Sequence, residues 1–183
     1  MSRQGLARLT GALYALNFVL GISAMVLTRQ GHASAGDFMT LAGALEYAVV
    51  VILLGRLFDD PHRTFSWSVA AIGLAGCATG AAGALHLFGS TATALAVFGL
   101  YCLGLGALVS RSARAPGVVG ALLMLSGCAW LTYVDLSLAR LLQPYNMALG
   151  IIGELVFTLW LIFAGLRAEG QRVPAEARVG PRV

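Results

Sequence analysis

Residues 150–167 read GIIGELVFTLWLIFAGLR. The run is apolar and close to the roughly 20 residues that a helix needs to cross a bilayer. It carries one ionisable side chain, Glu154, where hydrocarbon would surround it, and Arg167 stands at its end as a cationic stop. Keeping such an acid needs a reason, because a charged carboxylate at a helix centre costs roughly 2.5–3.5 kcal/mol on insertion scales. Residues 38–58 repeat the layout, with Glu46 inside the run and Arg56 near its end. The rest of the chain reads as packing around these two helices.

Of 183 residues, 58% are hydrophobic and only 11% charged, too apolar for a water-soluble domain of this size. Six runs are long enough to span: 9–27, 38–58, 65–88, 91–110, 117–138 and 146–166. They predict an all-α polytopic membrane protein, a six-transmembrane-helix bundle forming one domain over 1–167. The remainder, 168–183, is rich in Arg, Glu, Gly and Pro and reads as a disordered cytoplasmic tail. All twelve basic residues are arginine. Arg3, Arg8, Arg56, Arg63, Arg111, Arg114, Arg167, Arg172, Arg178 and Arg182 fall at one set of helix ends, against Arg29 and Arg140 at the other. The positive-inside rule then puts both termini in the cytoplasm, in agreement with an even number of spans. The net charge of +4 reflects this bias; no basic patch is interleaved with aromatics on a soluble face, so nucleic acid is excluded as a partner. The first run has the flanks of a signal peptide, but removing it would leave five spans and break that agreement, so it is kept as a mature helix.

The order of small and polar residues assigns the helix faces. In the first helix Thr10, Tyr14, Asn17, Gly21 and Ala24 share a face, and Asn17 in mid-bilayer needs a hydrogen-bond partner. In the third, Gly73, Gly76, Gly80 and Gly83 form a close-packing stripe that one more step extends to His86. The fourth, without a charge in its span, is scaffold. The fifth runs to Trp130 and Tyr133, which suit an interfacial belt, and to Asp135, near enough to its end to reach water or Arg140. Cys77, Cys102 and Cys128 lie in mid-helix without C-x-x-C spacing and read as small packing residues. A faint parallel repeat relates Gly11-Ala12-Leu13 and Glu46 to Gly120-Ala121-Leu122 and Glu154.

On this topology Glu46 and Glu154 each lie about 12 Å into their helices from the outer side, at 1.5 Å per residue. Glu46, Glu154, His86 and Asp135 then share the outer half of the membrane, and Asn17 completes a candidate polar intramembrane site. Membrane acids of this kind mark proton-coupled binding, acid catalysis on a lipid-soluble substrate, or hydrogen bonds that fix helix register. Three classes follow: a protein that binds or transports a small solute or proton through Glu46, Glu154 and His86; a non-catalytic membrane subunit or regulator whose acids fix packing; and an enzyme that protonates a lipid-soluble substrate. The predicted partners are the lipid bilayer and a second copy or another membrane protein. No residue set supports a metal, nucleotide or haem cofactor.

Arg8-Leu-Thr-Gly11-Ala-Leu-Tyr14, Arg111 with Pro116, Gly120-Ala-Leu-Leu-Met-Leu-Ser-Gly127 and Gly153-Glu154-Leu-Val-Phe-Thr-Leu-Trp160-Leu resemble the bacterial membrane family called domain of unknown function 4386. The likeness runs from about Arg8 to Arg167 and is strongest from Tyr101 onward. It implies a small multi-helix inner-membrane protein and brings no catalytic residues with it. Members often carry an acid in the second helix, which Glu46 matches, and Arg and Gln in the third, which this chain lacks.

Overall fold

The computed structural model describes residues 2–59, 63–113 and 115–165. Arg114, Arg167, the turn residues Asp60 and Pro61, His62 and the tail 168–183 lie outside the described residues. Within them the chain forms α1 (Arg3–Arg29), α2 (Ala33–Leu57), α3 (Arg63–Ala84), α4 (Thr91–Arg111), α5 (Gly117–Leu131), a 3-10 turn (Thr132–Val134), the short α6 (Leu136–Leu142) and α7 (Tyr145–Leu159), which runs on as a π-helical turn, Trp160–Ala164. Six of these segments are long and apolar enough to cross a membrane, which makes this a multi-pass membrane protein.

Each long helix packs on its neighbours in the chain, and α7 with its π-helical turn returns to α1. The six therefore close a ring, filled at its axis by Tyr14, Leu54, Tyr101, Leu105, Leu123, Phe157 and Leu161. Outward-facing Leu45, Val49, Leu125, Ile152 and Phe163 stay exposed, as a lipid-facing surface requires. Close approach of α4 and α5 rests on two glycine crossings. A Cβ on Gly99 would stand 2.8 Å from the Gly127 carbonyl oxygen, and one on Gly106 2.7 Å from that of Gly120. This is the scaffold role read from the charge-free fourth helix.

Several helix limits differ from the sequence-based expectation, each for a local reason. Helix α2 begins at Ala33 and not at 38, because α1 ends in a tight Schellman closure: Gly31 takes φ 87°, and the His32 amide bonds the Leu27 carbonyl at 2.9 Å. Gly36 then seats against Thr28 of α1. Helix α3 ends at Ala84 and not at 88. Here too a Schellman closure ends the helix, with the Leu87 amide on the Ala82 carbonyl at 3.0 Å and the His86 amide on Gly83 at 3.1 Å. His86 itself is the left-handed residue, φ 55°. Helix α4 starts where expected, capped by Ser90, whose hydroxyl accepts from the Thr93 amide at 3.2 Å. The fifth span does not continue to 138: it breaks at Asp135, whose extended backbone and carboxylate cap the separate α6.

Candidate functional site

Glu154 is a buried acid bonded to side chains of two other helices. It lies near the middle of α7 and is 5% exposed. Its Oε2 accepts from the Tyr14 hydroxyl of α1 at 3.0 Å. Its Oε1 accepts from the Trp130 indole N–H and, at 3.4 Å, from the Ser126 hydroxyl, both on α5. The single Ser126 proton is shared: its shorter contact is with the Gly150 carbonyl at 2.7 Å, one turn before the acid, so Glu154 receives the weaker arm. One carboxyl thus ties α7 to both neighbours in the ring. An unpaired buried carboxylate would be very costly, and the Tyr14 and Trp130 donors with the shared Ser126 proton offset that cost.

The donors stand where small residues leave room. Trp130 reaches the acid because Gly150 gives its ring a seat, a Cβ there standing 2.5 Å from the indole. Ser126 fits because Gly153 lies against it, 2.8 Å from Cβ to Cβ were a side chain added. Tyr14 is held by its neighbours' rings: Tyr47 edge-on at 5.1 Å, Phe18 stacked at 5.8 Å and Phe157 edge-on at 6.2 Å. Trp130 and Tyr133, expected in an interfacial belt, are instead 7% and 9% exposed and pack inside.

Glu46 has different surroundings. It too lies near the middle of its helix, because α2 extends past the expected start. Both of its carboxylate oxygens are out of contact with solvent and have no hydrogen-bond partner. No bond joins Glu46 to Glu154. His86 lies apart from both, beyond the end of α3, where its exposed Nε2 pairs with Asp37 Oδ2 of α2 at 3.1 Å. Asp135 is a helix cap, accepting from the amides of Ser137 at 2.8 Å and Leu138 at 3.4 Å. Asn17 is half-buried beside α2, its Oδ1 3.9 Å from where a Cβ on Gly43 would stand. Of the five candidate residues, Glu154 bonds side chains on two other helices, and His86 pairs with one on α2.

The glycine stripe on α3 is tight at one end only. A Cβ on Gly73 would stand 2.8 Å from the Tyr101 ring, whereas one on Gly80 would have 3.9 Å to its nearest neighbour. The packed face loosens before it reaches His86. Of the cysteines, Cys102 is buried in the core, Cys77 is half-buried and Cys128 is exposed, so the packing role read for all three fits Cys102 best.

A gap lined by Val51, Leu54, Ser66, Val69, Tyr101 and Leu105 leaves essentially 0 Å³ for a water molecule. Ser66 at its edge donates to the Gly55 carbonyl at 2.8 Å, pinning α3 to α2.

The bundle is therefore a multi-pass membrane protein with a buried, protein-satisfied acid near its axis. Over residues 91–165 its sequence matches the family described as a domain of unknown function, DUF4386. That stretch covers α4 to the π-helical turn and includes Ser126, Trp130 and Glu154; Tyr14 and Glu46 lie outside it. No curated protein and no solved structure matches the chain.

Proposed function

We propose that this chain is a non-catalytic membrane subunit or regulator in which Glu154 holds the helices together, and that it acts through a second copy of itself or another membrane protein. The observation that supports this reading is the set of protein donors on Glu154, contributed by α1 and α5. The arginine bias supports an orientation with both termini in the cytoplasm, and the family likeness supports a bacterial plasma membrane. Arg3, Arg56, Arg63 and Arg111 stand at helix ends that an antiparallel ring gathers on one side, with Arg29 at the opposite end of α1.

The test is proton flux in liposomes containing the purified chain, under an imposed pH gradient and with an entrapped pH dye. The expected result is a leak equal to that of protein-free liposomes, together with a lowered melting temperature for Glu154→Gln in detergent. A protein-dependent flux that Glu154→Gln abolishes would overturn the reading.

A second reading, a site for a proton or small solute, is supported by one observation: the buried carboxylate oxygens of Glu46 have no protein partner. That site would centre on Glu46. In the same liposomes it predicts a flux lost in Glu46→Gln and kept in Glu154→Gln.

A further inference from the structure

The connection between the fifth and sixth spans is apolar where a loop in water would be polar. Helix α6 buries one residue, Ala139, at 1% exposure, while Leu138, Leu141 and Leu142 stay exposed, Leu141 to 80%. Val134 before it and Tyr145 after it are exposed as well. Apolar surface gathered in this way on a short connection marks contact with something other than water. The side chains are also sorted by flank. At about 100° per residue, Arg140 and Ser137 fall together on one flank of α6 and Leu141, Leu138 and Leu142 on the other, with Ala139 against the bundle and Leu136 beside it. One polar and one apolar flank make the pattern of a helix that lies in a membrane interface.

Helix lengths set the depth of this connection. Gly165, just past the π-helical turn, lies beside Gln4: a Cβ on it would stand 3.3 Å from the Gln4 side chain. Helices α1 and α7 therefore share that end of the bundle. From it α1 runs 27 residues, whereas α7 and its π-helical turn run 15 and 5. At 1.5 Å per residue, α7 stops about 10 Å short of the far end of α1. Asn146, at the start of α7, holds α6 at that level: its side-chain amide donates to the Ala139 carbonyl at 3.2 Å and to the Thr132 hydroxyl at 3.0 Å. The far end of α1 carries Arg29, a residue suited to the headgroups. Helix α6 thus sits beneath the headgroup level, close to the roughly 5–10 Å to which interfacial helices sink.

We infer that α6 is an interfacial anchor that docks on the phospholipid of the leaflet at this end of the bundle, with Leu138, Leu141 and Leu142 among the acyl chains and Arg140 at the phosphates. Charge favours phospholipid over another apolar surface. Asp135, the acid nearest to Arg140 in sequence, gives its carboxylate to the amides of Ser137 and Leu138. Among the described residues Arg140 makes no ion pair. A guanidinium set beside leucines lays its stem along apolar surface and extends its head to an anion, and a phosphate accepts its paired N–H donors. This accounts for an arginine at helix ends that otherwise carry only Arg29. The anchor uses neither Glu154 nor Glu46, so it stands whether or not the packing role proposed above is correct, and for either orientation of the chain.

Spin labels on introduced cysteines test the anchor in liposomes of phosphatidylethanolamine and phosphatidylglycerol. The full chain carries Cys128→Ala, which removes its exposed thiol, and the signal of that background is subtracted. Leu138→Cys, Leu141→Cys, Ser137→Cys and Arg140→Cys each alter an exposed side chain, so each is expected to fold. Collisions with oxygen, which concentrates in hydrocarbon, are compared with collisions with a nickel chelate, which stays in water. The expected result is an oxygen-to-nickel ratio several-fold higher at 138 and 141 than at 137 and 140. Equal ratios at the four sites, or nickel dominant at 138 and 141, would overturn the anchor and leave a connection in water. Exclusion of both reagents at 138 and 141 would overturn it too, and dipolar broadening between labels would then assign the surface to a second copy of the chain.

Discussion

Trp130 fills the space that a side chain on Gly150 would need: a Cβ there would stand 2.5 Å from the indole Cε2 and 2.6 Å from Cζ2. The same indole donates to Glu154, one turn further along α7. Packing and polarity are joined at this point, since moving the ring breaks the bond. Gly150→Ala is expected to destabilise the bundle by about 1–3 kcal/mol, the usual cost of forcing extra volume into a packed core. Gly21 is the control. Nothing lies within 4 Å of a Cβ there, so Gly21→Ala should be neutral or stabilising by up to about 1 kcal/mol through helix propensity. Melting temperatures in detergent compare the two; equal losses would count against the seat described for Trp130.

Much of this bundle is legible in the sequence, because hydrocarbon leaves few choices. Six apolar runs must become helices to satisfy their own backbones, and Glu154 in the last of them must find partners. What the sequence hides is which partners. Tyr14 is placed by periodicity on an inward face, but Trp130 near a span end is indistinguishable from a headgroup anchor until Gly150 is seen to admit it. His86 continues the glycine stripe in register, yet α3 stops two residues before it, because a Schellman closure there uses backbone bonds that periodicity does not report. Glu46 and Glu154 look equivalent by position in their runs. They are not equivalent in the fold: one accepts from side chains of two other helices and the other from none.

That difference makes Glu46 the acid whose removal should help stability. Each of its buried oxygens now goes without a hydrogen bond, and replacing an unsatisfied polar group by an apolar one of similar size removes the penalty. Glu46→Met is expected to raise stability by about 1–3 kcal/mol, with Glu46→Gln closer to wild type. Thermal unfolding in detergent measures both. A marked loss in Glu46→Met would mean that the carboxyl has a partner.

Asp135 is expected to act locally. Its carboxylate accepts from the amides of Ser137 and Leu138 at the start of α6, the usual work of an N-cap. Asp135→Ala should cost about 1 kcal/mol, and Asp135→Asn only a few tenths, since Asn caps nearly as well. Amide hydrogen exchange across 136–142 should quicken in the alanine variant, while the six long helices keep their protection. A global loss of protection would assign Asp135 a role beyond the cap.

The bond from Tyr14 to Glu154 is the one side-chain hydrogen bond among the described residues that joins α1 to α7, and its strength can be bounded in advance. Hydrogen bonds between membrane helices average about 0.6 kcal/mol in mutant cycles and reach about 1.7, because helices separated in the bilayer also find substitute partners. Tyr14→Phe keeps the ring that stacks on Phe18 and meets Tyr47 and Phe157, so it deletes little besides the hydroxyl. A cycle of Tyr14→Phe with Glu154→Gln should therefore give a coupling of about 0.6–1.7 kcal/mol. Trp130→Phe, cycled with the same acid, mixes its hydrogen bond with lost volume, and its single-variant loss should exceed that of Tyr14→Phe. A coupling near zero for Tyr14 would leave Trp130 and Ser126, both on α5, as the acid's effective partners, and the junction of α1 with α7 would then rest on apolar packing such as Gly11 against Leu161 and Ile162.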